Sequence, residues 1–172
     1  LSLLRAVGLS GSVHSVEKRE EFASNAKSNV EHYFKGSPAN WKLTIGALEE
    51  VPIEELNVEY DRVILDMLTP WECIDQAAKV LVPGGVYMAY VATTTQLSNV
   101  AEGLKKDGRF TEPESFESII RPWHHEGLAV RPEHRIIGHT GFLIYARRMA
   151  PGNEVLQRRR RPSKGQYGIG EE

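Results

Sequence analysis

The 172-residue chain is 41% hydrophobic and 26% charged, with one cysteine, Cys73. This fits one globular domain with a sizeable core. No run of 18 apolar residues is present to cross a membrane, Leu1–Arg5 has none of the marks of a signal peptide, and one thiol cannot build a disulfide framework or a thiolate zinc site.

A reducing compartment is expected, the cytosol by default. The net charge of −2 hides an asymmetry: residues 1–146 carry 14 Lys/Arg against 20 Asp/Glu, whereas residues 147–164 carry seven basic residues and one Glu. An acidic body with a basic end suits local contact with a polyanion, not a uniformly basic nucleic-acid surface.

In chain order, residues 1–8 read as a helix ending at Gly8, and residues 11–17 as a strand alternating Val13 and Val16 with polar positions. Residues 19–34 take helical spacing through Phe22, Ala26, Val30 and Tyr33, stopped by Gly36, Ser37 and Pro38. Residues 41–46 form a short strand, and residues 60–66 a better one with a continuous apolar run suited to a buried parallel position. Thr69, Pro70 and Glu72 open a helix over 70–81, with Thr69 at the cap. Leu81–Gly85 reads as a tight turn, followed by a strand over 86–92 and a helix over 96–106. Residues 115–127 and 141–148 look like two strands with no helix between them, an antiparallel finishing pair.

Repeated strand–helix units closed by such a pair indicate an α/β doubly wound sheet. A nucleotide-binding sheet of this kind needs a first strand and a glycine loop ahead of the opening helix. The expectation is therefore a chain that begins just after them. Residues 1–149 form the catalytic domain on this reading, and residues 150–172, with Pro, Gly and four consecutive Arg, a basic flexible tail. Gly165, Gly168 and Gly170 have no flanking strand or helix and make no phosphate loop.

Two acids stand where ligands bind such sheets. Glu17 ends the first strand, where a carboxylate about 20 residues past a glycine loop accepts from both hydroxyls of a ribose; an exposed Glu at a helix start is the plainer reading. Asp66 ends the strand over 60–66, and with Thr69 and Glu72 available for capping, the usual structural use of such an Asp is filled. His124, His125, His134 and His139 crowd the last third without metal-ligand spacing, so no metal is expected. His139, between Gly138 and the Thr140-Gly141 pair, stands apart from the others by context.

Asp66-Met67-Leu68-Thr69-Pro70-Trp71-Glu72, Tyr90-Val91-Ala92-Thr93-Thr94-Thr95-Gln96-Leu97 and Gly138-His139-Thr140-Gly141-Phe142-Leu143 together resemble the tRNA (adenine-58-N1)-methyltransferase family in its bacterial, actinobacteria-like form. The likeness runs from Leu1 to about Arg148. It implies a Rossmann-like class I S-adenosylmethionine-dependent methyltransferase sheet and a homotetramer. The implied reaction is transfer of a methyl group from S-adenosylmethionine to N1 of adenine 58 in the T loop of tRNA. The resemblance assigns Asp66 to catalysis, Glu17, Ala47, Leu48 and Asp66 to the cofactor, and Gln96, His139, Arg158 and Arg159 to the substrate. Two departures stand out. The glycine loop is absent, and Ala47 occupies a position that is usually an Asp receiving the cofactor's adenine amino group. Losing one such bond costs about 0.5–1.5 kcal/mol, so weaker cofactor affinity is expected.

A non-catalytic tRNA-binding subunit of a methyltransferase complex is the alternative; the intact Asp66 motif opposes it, and Ala47 leans towards it. A nicotinamide dehydrogenase would share Glu17 but has no hydride-site residues here. Whatever the chemistry, a four-arginine run followed by Pro, Ser and Gly binds phosphate and cannot read bases. Removal of residues 157–172 from the full-length protein is expected to weaken tRNA binding mainly at low salt and to flatten its salt dependence, leaving the modified position unchanged. Unchanged affinity and slope would reduce the tail to a solvated terminus.

Overall fold

The computed structural model describes residues 1–52, 56 and 59–153. Its elements are α1 (Ser2–Val7), β1 (Val13–Glu17), α2 (Glu20–Phe34), β2 (Trp41–Ile45), β3 (Tyr60–Asp66), a 3-10 turn (Pro70–Cys73), α3 (Ile74–Val80), β4 (Leu81–Val91), α4 (Thr94–Asp107), β5 (Glu114–Phe116), β6 (Trp123–Glu126), β7 (Ala129–Pro132) and β8 (Phe142–Arg147). The tail, with Arg158 and Arg159, lies outside the described residues.

The strands form three groups. β1 and β2 pair in parallel; β3, β4, β8 and β5 make a mixed sheet in that order; β6 and β7 form a separate hairpin. β3 and β4 run parallel, while β8 is antiparallel to both β4 and β5. The expected antiparallel finish is present, but the single strand expected over 115–127 is two. β5 pairs with β8, and β6 folds back on β7, because Gly127 takes a φ of 53° and turns the chain. The expected turn over 81–85 is instead the bulged start of β4. Tyr60 pairs with Leu81 but Arg62 already with Val86, and the bulge is fastened to the end of β8 by Gly84 N–H to Arg148 O (2.7 Å) and Arg148 N–H to Gly85 O (2.8 Å). Gly84 has a φ of 84°, which accommodates the bulge without the strain a side chain would bring.

Two helices also differ from their sequence patterns. In α2 the buried residues are Ala23 and Val30, while Phe22 and Tyr33 are exposed. Small side chains let the helix lie close against β1 and β2, and the rings are accommodated at its rim: Arg19 stacks over Phe22 at 3.7 Å and Tyr33 packs edge-on against Phe34. The helix expected over 70–81 starts as a 3-10 turn. The Thr69 hydroxyl does not cap its backbone but donates to the Glu72 carboxylate at 2.7 Å.

The core lies between the four-stranded sheet and helices α3 and α4. Tyr87, Phe110, Leu104, Val100 and Ile144 are almost completely buried there. Tyr87 packs edge-on against Phe110 at 5.8 Å and its hydroxyl donates to Pro70 O at 2.9 Å, so the largest ring in the core buries no unpaired polar atom.

No backbone ladder joins β1 to β3 among the described residues. Side chains join them instead. His14 on β1 lies 2.8 Å from the Tyr60 hydroxyl on β3 through Nδ1 and 2.8 Å from the Thr44 hydroxyl on β2 through Nε2. Tyr60 donates its own proton to Leu56 O. Nδ1–H of His14 therefore donates to Tyr60, and Nε2 accepts from Thr44. This arrangement requires a neutral ring. Burial first, then the charge of Lys42, hold the His14 pKa below its ordinary value of 6.5. A base with a lowered folded-state pKa contributes stability that is complete above the unfolded value and lost as pH falls from 6.5 through the folded value. The melting temperature of the full-length protein should thus fall between pH 7.5 and 5.5, with a smaller fall in His14→Gln. Equal falls in both proteins would show that the bridge does not titrate as described.

Candidate active site

The carboxyl ends of β1, β2 and β3 open on one cavity of about 710 Å³, within the range of small-molecule and cofactor sites. Glu17, Gly46, Ala47, Leu48, Asp66 and Leu68 are among the residues lining it. Residues far apart in sequence meet there because parallel strands all present their carboxyl ends to the same edge.

Glu17 is held chiefly by Arg19. Its Oε1 accepts from the Arg19 backbone N–H at 2.9 Å and from Arg19 Nε at 3.0 Å, and chiefly through these bonds Arg19 holds its carboxyl below the usual carboxylate range. The Lys18 backbone N–H adds a weaker contact to the same carboxylate, which stays ionised and lines the cavity, open to a ligand. The Glu17 carbonyl accepts from Gly46 N–H at 3.0 Å, placing the 46–48 loop beside it. The loop is braced from below by Gln76, a buried side chain whose Nε2 donates to Val51 O at 2.5 Å. Ala47 is buried in the wall and Leu48 packs on the core. Among the described residues the Leu48 N–H has no hydrogen-bond acceptor. Gln76, His14 and Tyr60 carry no local pattern that marks them in sequence; only their neighbours across the fold give them a role.

Asp66 ends β3 exposed, opposite Tyr90 of β4. Its carboxylate makes no hydrogen bond or ion pair with any described residue, so its acceptor capacity is unspent. Below it Cys73 is buried, with Sγ 3.6 Å from Glu49 Oε2, and burial followed by the Glu49 charge pushes its thiol up to about 12. That thiol is inert at neutral pH.

Gln96 and His139 do not line the cavity. Gln96 completes a capping box at the start of α4, with Oε1 accepting from the Thr93 N–H at 3.1 Å while the Thr93 hydroxyl accepts from Gln96 N–H. His139 lies on the adjacent loop with Nε2 2.8 Å from Ala92 O. Arg147 and Arg148 reach backbone carbonyls: Arg147 that of Gly84, Arg148 those of Ala78 and Met149. No group of three His, Cys, Asp or Glu is placed to hold a metal ion among the described residues, and no described helix is long and apolar enough to cross a membrane.

The family model described as "tRNA methyltransferase complex GCD14 subunit" matches residues 1–128. A tRNA (adenine(58)-N(1))-methyltransferase TrmI of Thermus thermophilus is 32% identical over 152 residues, which are 86% of this chain and 56% of that protein. The tRNA (adenine(57)-N(1)/adenine(58)-N(1))-methyltransferase TrmI of Methanocaldococcus jannaschii is 30% identical over 168 residues, covering 84% and 58%. Among solved structures, a SAM-dependent O-methyltransferase from Thermotoga maritima superposes with a TM-score of 0.77 at 31% identity over 88% of this chain and 55% of that one. The tRNA (m1A58) methyltransferase TrmI of Aquifex aeolicus superposes at 0.67 with 22% identity, covering 81% and 54%, a likeness of fold. The chain thus spans little more than half the length of the relatives it matches. Its mixed α/β sheet is that of the class I S-adenosylmethionine methyltransferases, and the chain belongs to the GCD14 family of tRNA methyltransferase subunits.

Proposed function

We propose that this chain carries catalytic residues of an S-adenosylmethionine-dependent tRNA methyltransferase acting on N1 of adenine 58. The observation that carries the reading is the unspent Asp66 carboxylate, set at the mouth of a cavity it shares with Glu17 and the 46–48 loop. The names of the relatives share N1 methylation of adenine 58, and the archaeal one adds adenine 57.

The residues present fit the cofactor. Glu17 offers its ionised carboxylate to a ribose diol, and the Leu48 N–H is free for an adenine ring nitrogen. Ala47 contributes only a methyl group to that wall, so one polar contact is missing and affinity is reduced. When bound, S-adenosylmethionine supplies an electrophilic methyl group on a sulfonium. Asp66 then serves the acceptor. A carboxylate receiving the N6 hydrogens of adenine turns N1 towards the methyl group and offsets the positive charge that grows on the base. The adenine has to leave its stack to present its N1 edge to a carboxylate at the cavity mouth. Arg158 and Arg159 add phosphate affinity, and residues 1–149 and 150–172 divide the labour between chemistry and tRNA attachment.

The same reading includes a homotetramer in the cytoplasm. Trp123, Leu128 and Val130 on the β6–β7 hairpin, with Ile120 and Ile137 beside it in sequence, are exposed large apolar residues, an arrangement that favours burial against further copies of the chain. The solved relative named as an O-methyltransferase makes hydroxyl methylation the competing chemistry, and a non-catalytic subunit remains the competing role.

One experiment separates these. In the full-length protein Asp66→Ala should lower single-turnover methylation of a tRNA transcript by about 100-fold or more, the scale of losing a transition-state electrostatic partner, with tRNA binding nearly unchanged. The product should be 1-methyladenosine at position 58. Near wild-type rates would remove Asp66 from the mechanism, and a wild type that binds tRNA without methylating it would make the chain a binding subunit.

A further inference from the structure

We propose that Gln96 is a positioning residue whose side-chain amide locks the Asp66 loop onto the start of α4, where His139 fastens a third loop. The proposal rests on the reading of Asp66 given above. Gln96 Oε1 accepts from the backbone N–H groups of Ala92 (3.2 Å) and Thr93 (3.1 Å), while Nε2 donates to Leu68 O at 2.9 Å, two residues beyond Asp66. One side chain thus ties the segment after β3 to the segment after β4. The Ala92 carbonyl points the other way and accepts from His139 Nε2 at 2.8 Å. A carbonyl cannot donate, so Nε2 carries the proton of this bond. The 138–141 loop has a second fastening, the Tyr90 hydroxyl donating to Thr140 O at 2.6 Å. A Cβ at Gly141 would meet the end of the Tyr90 ring, so a side chain there would displace the ring that makes this bond.

The chain of bonds Leu68–Gln96–Ala92–His139 therefore sets three loops in one frame around Asp66. Its geometry splits two roles that Gln96 combines. The capping box needs only an acceptor at position 96, and Glu fills it as well as Gln. The bond to Leu68 O needs a donor, which a carboxylate lacks. Gln96→Glu consequently keeps the helix start and cuts the tie to the Asp66 loop, whereas Gln96→Ala removes both. The exchangeable amides of residues 66–72 report the tie without any turnover, and those of the first turns of α4 report the cap.

In the full-length protein, amides of residues 66–72 should exchange about tenfold faster in Gln96→Glu than in wild type, with α4 protection unchanged. Single-turnover methylation at saturating S-adenosylmethionine and tRNA should fall by about tenfold while both affinities stay within about twofold, as expected for misplacement rather than lost binding. Gln96→Ala should loosen both segments. Unchanged exchange over 66–72 in Gln96→Glu, or protected 66–72 amides in Gln96→Ala, would overturn the proposal. Lost tRNA or cofactor affinity with an unchanged rate at saturation would do the same, by making Gln96 a binding contact. If the wild type transfers no methyl group, the reading of Asp66 fails, while the exchange comparison still decides whether the tie exists.

Discussion

The parallel pairing of β3 with β4 is the constraint on which the site depends. Its register sets Asp66 opposite Tyr90, and β8 then sets Leu143 opposite Tyr90 from the other side. One row of residues across three strands therefore ends the sheet at a single level. Loops leaving that level are close enough for side chains of ordinary length to tie them together. Shifting this pairing by one residue would turn Asp66 to the opposite face of the sheet and separate it from Glu17.

Charge is deployed differently on the two acids. Glu17 is preset as an anion by Arg19, whose guanidinium is itself anchored on Phe22, so a ligand meets an oriented carboxylate and need not recruit one. Asp66 has no such partner. A carboxylate already paired with a cation would have little left to offer a base developing positive charge, whereas an unpaired one keeps its full field for that moment. The acid without a partner is thus the better candidate for chemistry, and the acid with one for binding.

Much of this was legible in the chain itself. The strand over 60–66 has the bounds and the parallel pairing that its apolar run predicts, and α1 ends at Gly8 as expected. The burial expected of that strand is not met: among the described residues it edges its sheet and buries only Leu65. Both acids were visible as strand-terminal residues, Glu17 closing the alternation of Val13 and Val16 and Asp66 closing the apolar run of Val63, Ile64 and Leu65. The misjudged parts share a cause, which is that tertiary neighbours override local pattern. Phe22 and Tyr33 have helical spacing, yet the close approach of α2 to β1 and β2 admits only Ala23 and Val30. Leu81–Gly85 has turn chemistry, yet Arg148 just past β8 takes up the Gly84 amide and the Gly85 carbonyl and draws the segment into β4. The bonds of Gln96 to Leu68 and of His14 to Tyr60 span 28 and 46 residues, distances at which no local signal exists.

The central claim is that one cavity holds the cofactor through Glu17 and presents it to Asp66. Calorimetric titration of the full-length protein with S-adenosylhomocysteine, wild type against Glu17→Gln, tests the first half most directly. Loss of a charged acceptor from a ribose diol should weaken binding by about 10- to 100-fold, the equivalent of roughly 1.5–3 kcal/mol for hydrogen bonds to a charged group. Equal affinities would place the nucleoside elsewhere and leave Asp66 facing a cavity with another purpose.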